Sequence, residues 1–371
     1  MHSSSGRYGA DRQLALIAAG LDRSRYEPIV VLPDHGPLGE DLEAAGIEVL
    51  VRPLGVIRRA LSSPAGLARV ASAAARDAAA LIPLVRRRGI ALIHTNTSVT
   101  LGGAAAAGVA RVPHVWHVRE IYSGVERAWP AYRRLLGTAA ALPCVSRATA
   151  AQFRPEDRVR VIPDGLGVDV VRAARPQARR ALGLPPQTPV IAVLGRISDW
   201  KGQDVLVRAL AEQPLRQRGA IGLIAGDPWP GAEDRRSRLL ALAAELGVAR
   251  RVCLVGFRQD LGTVYGAADL VAVPSTAPDP LPGAAIEAAA AGCAVLASAH
   301  GGLPEIIHEG ETGRLIAPGD PVALARTAAE LLDDPAARAG LGSAAADDVR
   351  RRFAPERLLD SIQALYDQLR R

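Results

Sequence analysis

An α/β protein of two parallel-sheet domains is what this sequence predicts, on three observations. Its 371 residues are too many for one ordinary core and divide into two domains of roughly 170–190 residues. Short apolar runs alternate with amphipathic stretches throughout, which is the pattern of β-α units. Two such series flank an Arg- and Pro-rich stretch, Asp169–Thr188, that has no strand character and reads as a linker.

The first series opens on HSSSGRYGADRQLALIAAGL, a turn followed by a helix over Asp11–Leu21, starting already at residue 2. Domains of this kind begin with a strand leading into such a turn. The expectation is therefore that this strand is missing or that the native start lies upstream of Met1. Strands are predicted at Pro28–Leu32, Ile47–Val51, Ile90–His94, His114–Val118, Leu142–Val145 and Val159–Ile162, with a long helix over Ser63–Arg88. The second series runs through Pro189–Leu194, Ile221–Ala225, Val252–Val255, Leu270–Val273 and Ala294–Ala297. The predicted organisation is a first domain over 1–168, a linker over 169–188, a second domain over 189–354 and a closing helix over 355–371. No repeat of fixed period appears.

Composition narrows the function. Aromatic residues make up 4 % of the chain, too few for base-stacking platforms, so no nucleic-acid partner is expected. No apolar run approaches the ~18–20 residues that span a bilayer, and no signal-peptide pattern opens the chain. Cys144, Cys253 and Cys293 are isolated, with no C-x-x-C pair, so neither a disulfide framework nor a zinc site is supported. A reducing cytoplasm fits this usage. The net charge of +7 is concentrated in the first half of the chain, which suggests an anionic ligand or membrane surface, or arginines that solvate helix faces.

Of the 45 basic residues one is a lysine, Lys201, in GRISDWKG at 195–202. The segment follows the apolar run Val190–Leu194 and precedes a helix predicted over Gln203–Leu215. Gly195 lets the backbone approach a ligand closely, and the following helix offers free N–H groups to an anion. Arg196 and Lys201 could hold a phosphate as fork and point charge, or could be solvated cations of a turn. A generic surface cation in this chain would be arginine, and a guanidinium cannot mimic a compact ammonium.

The second constellation is PSTAPDPLPGAAIEAAAAGCAVLAS, 274–298, read as a strand end, a Pro-broken loop and a helix from about Pro282 or Gly283 to Gly292. Asp279 and Glu287 are eight residues apart. Glu287 is the only charge between Pro280 and Gly292, in a helix apolar on every face and hence buried. A buried carboxylate is costly unless it is hydrogen-bonded. Vicinal sugar hydroxyls or a structural arginine would satisfy it. Leu281, Pro282, Gly283 and Ala284 form the helix N-terminus, which could receive a phosphate.

In this order the two stretches resemble the C-terminal half of the GT-B retaining glycosyltransferases of family 4, whose pattern is a G-R-x(n)-K-G turn followed by E-x7-E. VGFRQDLGTVYGAADLVAVPS at 255–275 is similar to the family's G-F/Y-x-x-D segment, and GGLPEIIHEGETGRLIAPGD at 301–320 to its G-G-x-x-E to P-G-D segment. Upstream, VIPDGLGVD, HVRE at 117–120 and SGRYGAD at 5–11 extend the resemblance over essentially the whole chain. Asp279 departs from the pattern, standing one methylene short of the first glutamate.

The resemblance implies two Rossmann-like domains facing each other across a deep cleft, with the C-terminal helix crossing back. It implies that Arg196 and Lys201 neutralise a UDP- or GDP-linked donor diphosphate, that Glu287 holds the ribose, and that Phe257 and Arg258 flank the base. Gly6 and Gly9 would bring the first loop against phosphate and sugar, and Asp279 would meet the sugar hydroxyls. His117 alternates with apolar neighbours and reads from position alone as a core histidine; the resemblance places it against the donor sugar. His94 and Glu120 belong to the acceptor side. His2, His35, His114, His300 and His308 show no ligand spacing.

A departing diphosphate can be stabilised by a divalent metal or by fixed cations with helix dipoles. No Asp-x-Asp occurs in the chain, so the cation solution is expected, with no metal and no cofactor beyond the nucleotide-sugar. The expected activity is transfer of a hexosyl group to a cell-envelope polysaccharide, glycolipid or other saccharide or lipid-linked acceptor. A nucleotide-sugar epimerase or hydrolase on the same fold, or a non-catalytic nucleotide-sugar-binding subunit, is the alternative. VERAWPAYRRLL at 125–136, with Trp129 and Tyr132 beside Arg127, Arg133 and Arg134, fits either a peripheral contact with the inner face of the plasma membrane or an ordinary surface helix.

Overall fold

The computed structural model describes residues 1–57, 64–122, 129–154, 158–167 and 170–370. The chain forms two α/β units, Met1–Gly167 with Ala354–Arg371, and Val168–Phe353.

In the first unit, β1 (Ile29–Leu32) pairs with β2 (Glu48–Val51), β3 (Ile93–Thr95) with β4 (His114–Trp116), and β5 (Leu142–Cys144) with β6 (Val159–Val161), all in parallel. Bridges Val115–Ala141 and Val118–Cys144 join β4 to β5. Residues 1 and 2 fill the gap between β1 and β3. The His2 N–H donates to the Val31 carbonyl at 3.1 Å, and the Asn96 N–H to the Met1 carbonyl at 2.9 Å. The turn predicted at residue 2 then enters α1 (Gly9–Gly20), which buries Leu14, Ile17 and Ala18 at helical spacing. Further helices are α2 (Pro37–Ala44), α3 (Pro64–Arg87), α4 (Gly102–Ala110), α5 (Trp129–Leu136) and α6 (Arg147–Ala150).

The third strand begins at Ile93, not at the predicted Ile90, because Ile90 closes α3. Gly89 is left-handed at φ 60° and the Ile90 N–H donates to the Val85 carbonyl, a C-cap in which an apolar residue follows the glycine.

The second unit carries a six-stranded parallel sheet, with β7 (Val190–Leu194), β8 (Ile221–Ala225), β9 (Val252–Gly256), β10 (Leu270–Val273), β11 (Val295–Ser298) and β12 (Arg314–Ile316) in the order β12-β11-β10-β7-β8-β9. Every residue of β7, β8, β10 and β11 is buried. Such continuous apolar runs are what a sheet covered on both faces requires.

The stretch read as a linker differs from that expectation. It contains α7 (Arg175–Ala181), and Arg179 is 1 % exposed. The Arg179 guanidinium donates to the carbonyls of Pro185, Pro186, Thr188 and Ala267 and pairs with Asp269 at 2.8 Å. The Arg and Pro content therefore belongs to a folded cap on β7; residues 168 and 169 lie outside the described residues. The helix predicted over Gln203–Leu215 is likewise two, α8 (Gln203–Ala211) and α9 (Gln213–Gln217). Pro214 has no N–H for the Leu210 carbonyl, and Arg251 supplies a donor to it at 2.8 Å.

The unit continues through α10 (Asp234–Glu245), α11 (Leu261–Ala267), α12 (Gly283–Ala290), α13 (Leu303–Ile306), α14 (Pro321–Asp333) and α15 (Pro335–Arg352). The chain then returns to the first unit in α16 (Pro355–Leu369). There Leu358, Ile362, Leu365 and Tyr366 complete a core with Ile17, Leu21, Val115, Ala141 and Ile162.

Candidate functional site

In the second unit the chain leaves β7 toward β8 on one side and returns to β10 on the other. That reversal of strand order opens a crevice beyond the carboxyl ends of β7 and β10, where open α/β sheets bind ligands. GRISDWKG follows β7, and the loop of Asp279 follows β10.

Backbone contact through glycines fixes these loops. Gly202, left-handed at φ 76°, lies so close to Pro274 that a Cβ would overlap the Pro274 carbonyl. The Thr276 N–H donates to the Trp200 carbonyl at 2.8 Å. From the turn after β11, Gly301 (φ 60°) and Gly302 press on the backbone of Asp279 and Pro280, leaving no room for side chains. The Gly302 N–H donates to the Asp279 carbonyl at 2.7 Å.

On this frame the Lys201 ammonium meets Asp279 Oδ2 at 2.5 Å and lies 4.3 Å from the centre of the Trp200 ring. Asp279 is buried and also accepts from Ser275 Oγ at 3.4 Å. The Ser275 carbonyl in turn contacts His300 Nε2 at 2.8 Å. The Arg196 guanidinium lies 3.3 Å from the centre of the Trp229 ring. Gly195, at φ 132°, donates its N–H to the Ala225 carbonyl at 2.9 Å.

Glu287 is buried in α12, and the Tyr265 hydroxyl donates to its Oε2 at 3.4 Å. Its Oε1 is 3.7 Å from where a Cβ on Gly283 would stand, so the carboxylate faces the first turn of its own helix. Leu281 and Pro282 are buried, Gly283 and Ala284 partly exposed, and Pro282 caps α12 without a side-chain hydrogen bond. The first N–H groups of α12 therefore lack the usual capping oxygen. Phe257 is exposed and its N–H donates to Asp227 Oδ2 at 2.9 Å; Arg258 beside it is partly exposed. Asp260, the acid of the G-F-x-x-D segment, caps α11 by accepting from the Thr263 N–H at 3.2 Å.

The remaining sequence candidates lie in the first unit. His117 is fully buried and stacks on His94 with ring centres 5.4 Å apart, and both nitrogens of its ring lack a hydrogen-bond partner. His94 Nδ1 meets the Tyr366 hydroxyl at 2.5 Å. Burial, with Arg119 close by, keeps both imidazoles neutral well below the ordinary histidine range. Arg119 pairs with Asp164. Glu120 accepts from Ser98 and from the Arg119 N–H, and burial pushes its carboxyl up against those bonds. Gly6 lies against Asp11, with 3.0 Å between its Cβ position and Oδ2, and Gly9, exposed, opens α1. Asp11 accepts from His2 at 2.7 Å and from the Tyr8 N–H at 2.9 Å. Burial pushes the Asp11 carboxyl up, but hydrogen bonds from His2, Ser4 and Tyr8 hold it below its usual value.

The structure turns Trp129 and Tyr132 inward, where Trp129 stacks on Tyr122 at 4.8 Å and meets Phe153 at 5.6 Å. Arg127 lies outside the described residues. No helix among the described residues is long and apolar enough to cross a membrane. Among those residues no group of three or more His, Cys, Asp or Glu side chains has the arrangement of a metal site. The sequence did not single out Trp200, Trp229, Ser275 or Asp227, and His300 was set aside there for want of ligand spacing. Only the two tryptophans carried a signal, their rarity.

Two family models match the chain, Glycosyltransferase Family 4 over residues 8–170 and Glycosyl transferases group 1 over residues 174–348. D-inositol 3-phosphate glycosyltransferase of Corynebacterium efficiens is 37 % identical over 221 residues, 57 % of this chain and 51 % of that protein. The Mycobacterium ulcerans enzyme of the same name is 37 % identical over 213 residues, 56 % and 45 % of the two chains. The matches to these curated relatives thus span about half of their length. Among solved structures, Anabaena HepE in complex with UDP and glucose aligns with a TM-score of 0.84 and 27 % identity over 99 % of this chain and 98 % of its own. Sucrose-phosphate synthase of Thermosynechococcus elongatus, 23 % identical over 100 % of this chain and 99 % of its own, shares the fold with a TM-score of 0.78.

Proposed function

The chain belongs to glycosyltransferase family 4, the group 1 glycosyl transferases of GT-B fold, and on that premise we propose that it transfers a hexosyl group from a nucleotide diphosphate sugar to a hydroxyl acceptor with retention of anomeric configuration. The observation that carries the reading is the meeting of Lys201 and Asp279 at the β7–β10 crevice, with Arg196 on the same turn as Lys201. Breaking the bond between sugar and diphosphate puts growing negative charge on the leaving phosphate. Two fixed cations, with the uncapped first turn of α12 as a dipole, stabilise charge that appears in the transition state. The transfer then needs no metal.

The donor base contacts the Phe257–Arg258 segment, and Glu287 holds the ribose. Asp279 orients Lys201 and accepts from a sugar hydroxyl. HepE's complexes with UDP and with UDP-glucose make a UDP-hexose the first donor to test. The acceptor is a saccharide or lipid-linked hydroxyl of the cell envelope. The proposed location is cytoplasmic, with peripheral contact at the membrane through Arg133 and Arg134.

The deciding experiment incubates the protein with UDP-glucose, UDP-N-acetylglucosamine or GDP-mannose labelled in the sugar, with and without a cell-envelope acceptor extract or inositol phosphate. Label moving to acceptor only when acceptor is present, with an unchanged anomeric centre by NMR, supports transfer. Donor consumption without acceptor points to a hydrolase or epimerase. Binding without turnover in any mixture points to a non-catalytic subunit.

A further inference from the structure

We propose that Asp227 is a positioning residue that sets the spacing between the base-binding and diphosphate-binding loops of the donor site; the proposal rests on the nucleotide-sugar reading above. β7, β8 and β9 are neighbours in the sheet, so the loops at their carboxyl ends lie side by side. The turn over Gly195–Gly202 follows β7, Gly226 and Asp227 follow β8, and Phe257 and Arg258 follow β9. Asp227, in the middle loop, reaches both of the others. Its main-chain carbonyl accepts from the Ile197 N–H at 3.1 Å, and its Oδ2 accepts from the Phe257 N–H at 2.9 Å.

Strand pairing cannot supply the second of these ties. β9 is an edge strand, paired with β8 alone. That pairing slips at its end: Ile224 stands opposite Leu254 but Ala225 opposite Gly256, so Val255 is an extra residue on β9. Such a bulge bends the strand that carries it and disrupts the ladder. Past the bulge Gly256 turns left-handed at φ 68°, and the two Asp227 carboxylate oxygens lie 3.6 and 3.7 Å from where its Cβ would stand. A carboxylate thus meets the Phe257 N–H where the ladder has ended. On the other side Gly226, at φ 148°, is pressed so close to the Gly195 carbonyl that no Cβ fits. The middle loop is therefore locked to the phosphate turn through its backbone, and the Asp227 side chain extends that frame to the exposed Phe257.

Charge is the lesser part of this role. Asp227 is half exposed, and its other oxygen lies 4.0 Å from the equally exposed Arg236 guanidinium, a surface pair that contributes little. What the carboxylate supplies is an acceptor at a fixed place. Base and diphosphate belong to one ligand, at a separation set by the ribose between them. A loop held at the matching distance binds the base without first being ordered, whereas a loop released from Asp227 is ordered at the expense of affinity.

The test is calorimetric titration of the full chain with UDP and with GDP, the tighter of the two then being titrated into D227A, D227N, F257A and D227A/F257A. The amide oxygen of D227N still accepts from an N–H, and both substitutions leave the main-chain bond to Ile197 in place. We expect D227A to weaken the nucleotide about five- to tenfold, with a melting temperature within about 4 °C of wild type. D227N should restore affinity to within about twofold, and the double variant should bind no worse than F257A alone. Unchanged affinity in D227A, a D227N as weak as D227A, or a double variant far weaker than F257A overturns the positioning role and leaves the nucleotide-sugar reading intact. A wild type silent to both nucleotides overturns that reading and the positioning role with it.

Discussion

At the scale of single residues, the chain's one lysine is held by two contacts of different kind, the Asp279 carboxylate at 2.5 Å and the Trp200 ring at 4.3 Å. A guanidinium is broader than an ammonium and spreads its charge over a plane, so it cannot occupy the same gap. Lys201→Arg is therefore expected to be nearly as damaging as Lys201→Ala, each lowering kcat about 100-fold or more with a smaller loss in donor binding, since the charge they meet grows in the transition state. Steady-state kinetics with donor titration check this; an arginine variant with near-normal kcat refutes it. Lys201, Asp279 and Glu287 were legible in the sequence because each is a chemical exception in its surroundings. Trp229 was not, since nothing in spacing tells that an indole 33 positions after an arginine will lie beneath it. The pairing of His2 with Asp11 was hidden for the same reason, as its partner contacts come from β1 and Asn96.

Elements were legible where burial is complete. Four strands of the second sheet, β7, β8, β10 and β11, stood out as continuous apolar runs because both faces of the sheet are covered there, whereas the short edge strand β12, with Arg314 in it, was not read from the sequence. The error came in 169–188, where arginine and proline imitate a solvated linker. The Arg179 guanidinium is satisfied there by four carbonyls and Asp269, a pattern of distant acceptors that composition cannot display. Asp269 also pairs with Arg175 and accepts from the Val190 N–H, so loss of Arg179 chiefly leaves the four carbonyls without their donor. Arg179→Ala should therefore destabilise the second unit by about 1–3 kcal/mol, measured by urea unfolding; a loss under about 0.5 kcal/mol would return α7 to the status of a tether. The glycine contacts between loops were equally hidden, because a glycine's need for left-handed φ is visible in sequence only when its neighbour in space is known.

At the scale of the molecule, chemistry is divided between the units. The histidines shifted by burial, His2, His94, His114 and His117, all belong to the first, with His114 lowered to about 3. The folded state refuses protons that the unfolded chain accepts below about pH 6.5. Unfolded protein then binds more protons, so stability is complete above that value and falls as pH drops through it, by at most about 1.4 kcal/mol per pH unit for each histidine. Hydrogen exchange followed unit by unit from pH 7.5 to 5.5, corrected for intrinsic rates, should show protection lost first in 1–167; equal loss in both units would count against it. The α/β class was readable from length and alternation, whereas the return of the last helix was implied only by the family resemblance. The path of that return has a bearing on biosynthesis. Leu358, Ile362, Leu365 and Tyr366 close a core in which Ile17, Leu21 and Val115 leave the ribosome more than 200 residues earlier. At about 5–20 residues per second the nascent first unit waits for tens of seconds with an apolar groove open. The second unit, contiguous from 168 to 353, can meanwhile fold behind it, so the part of the chain made first is the last to be finished.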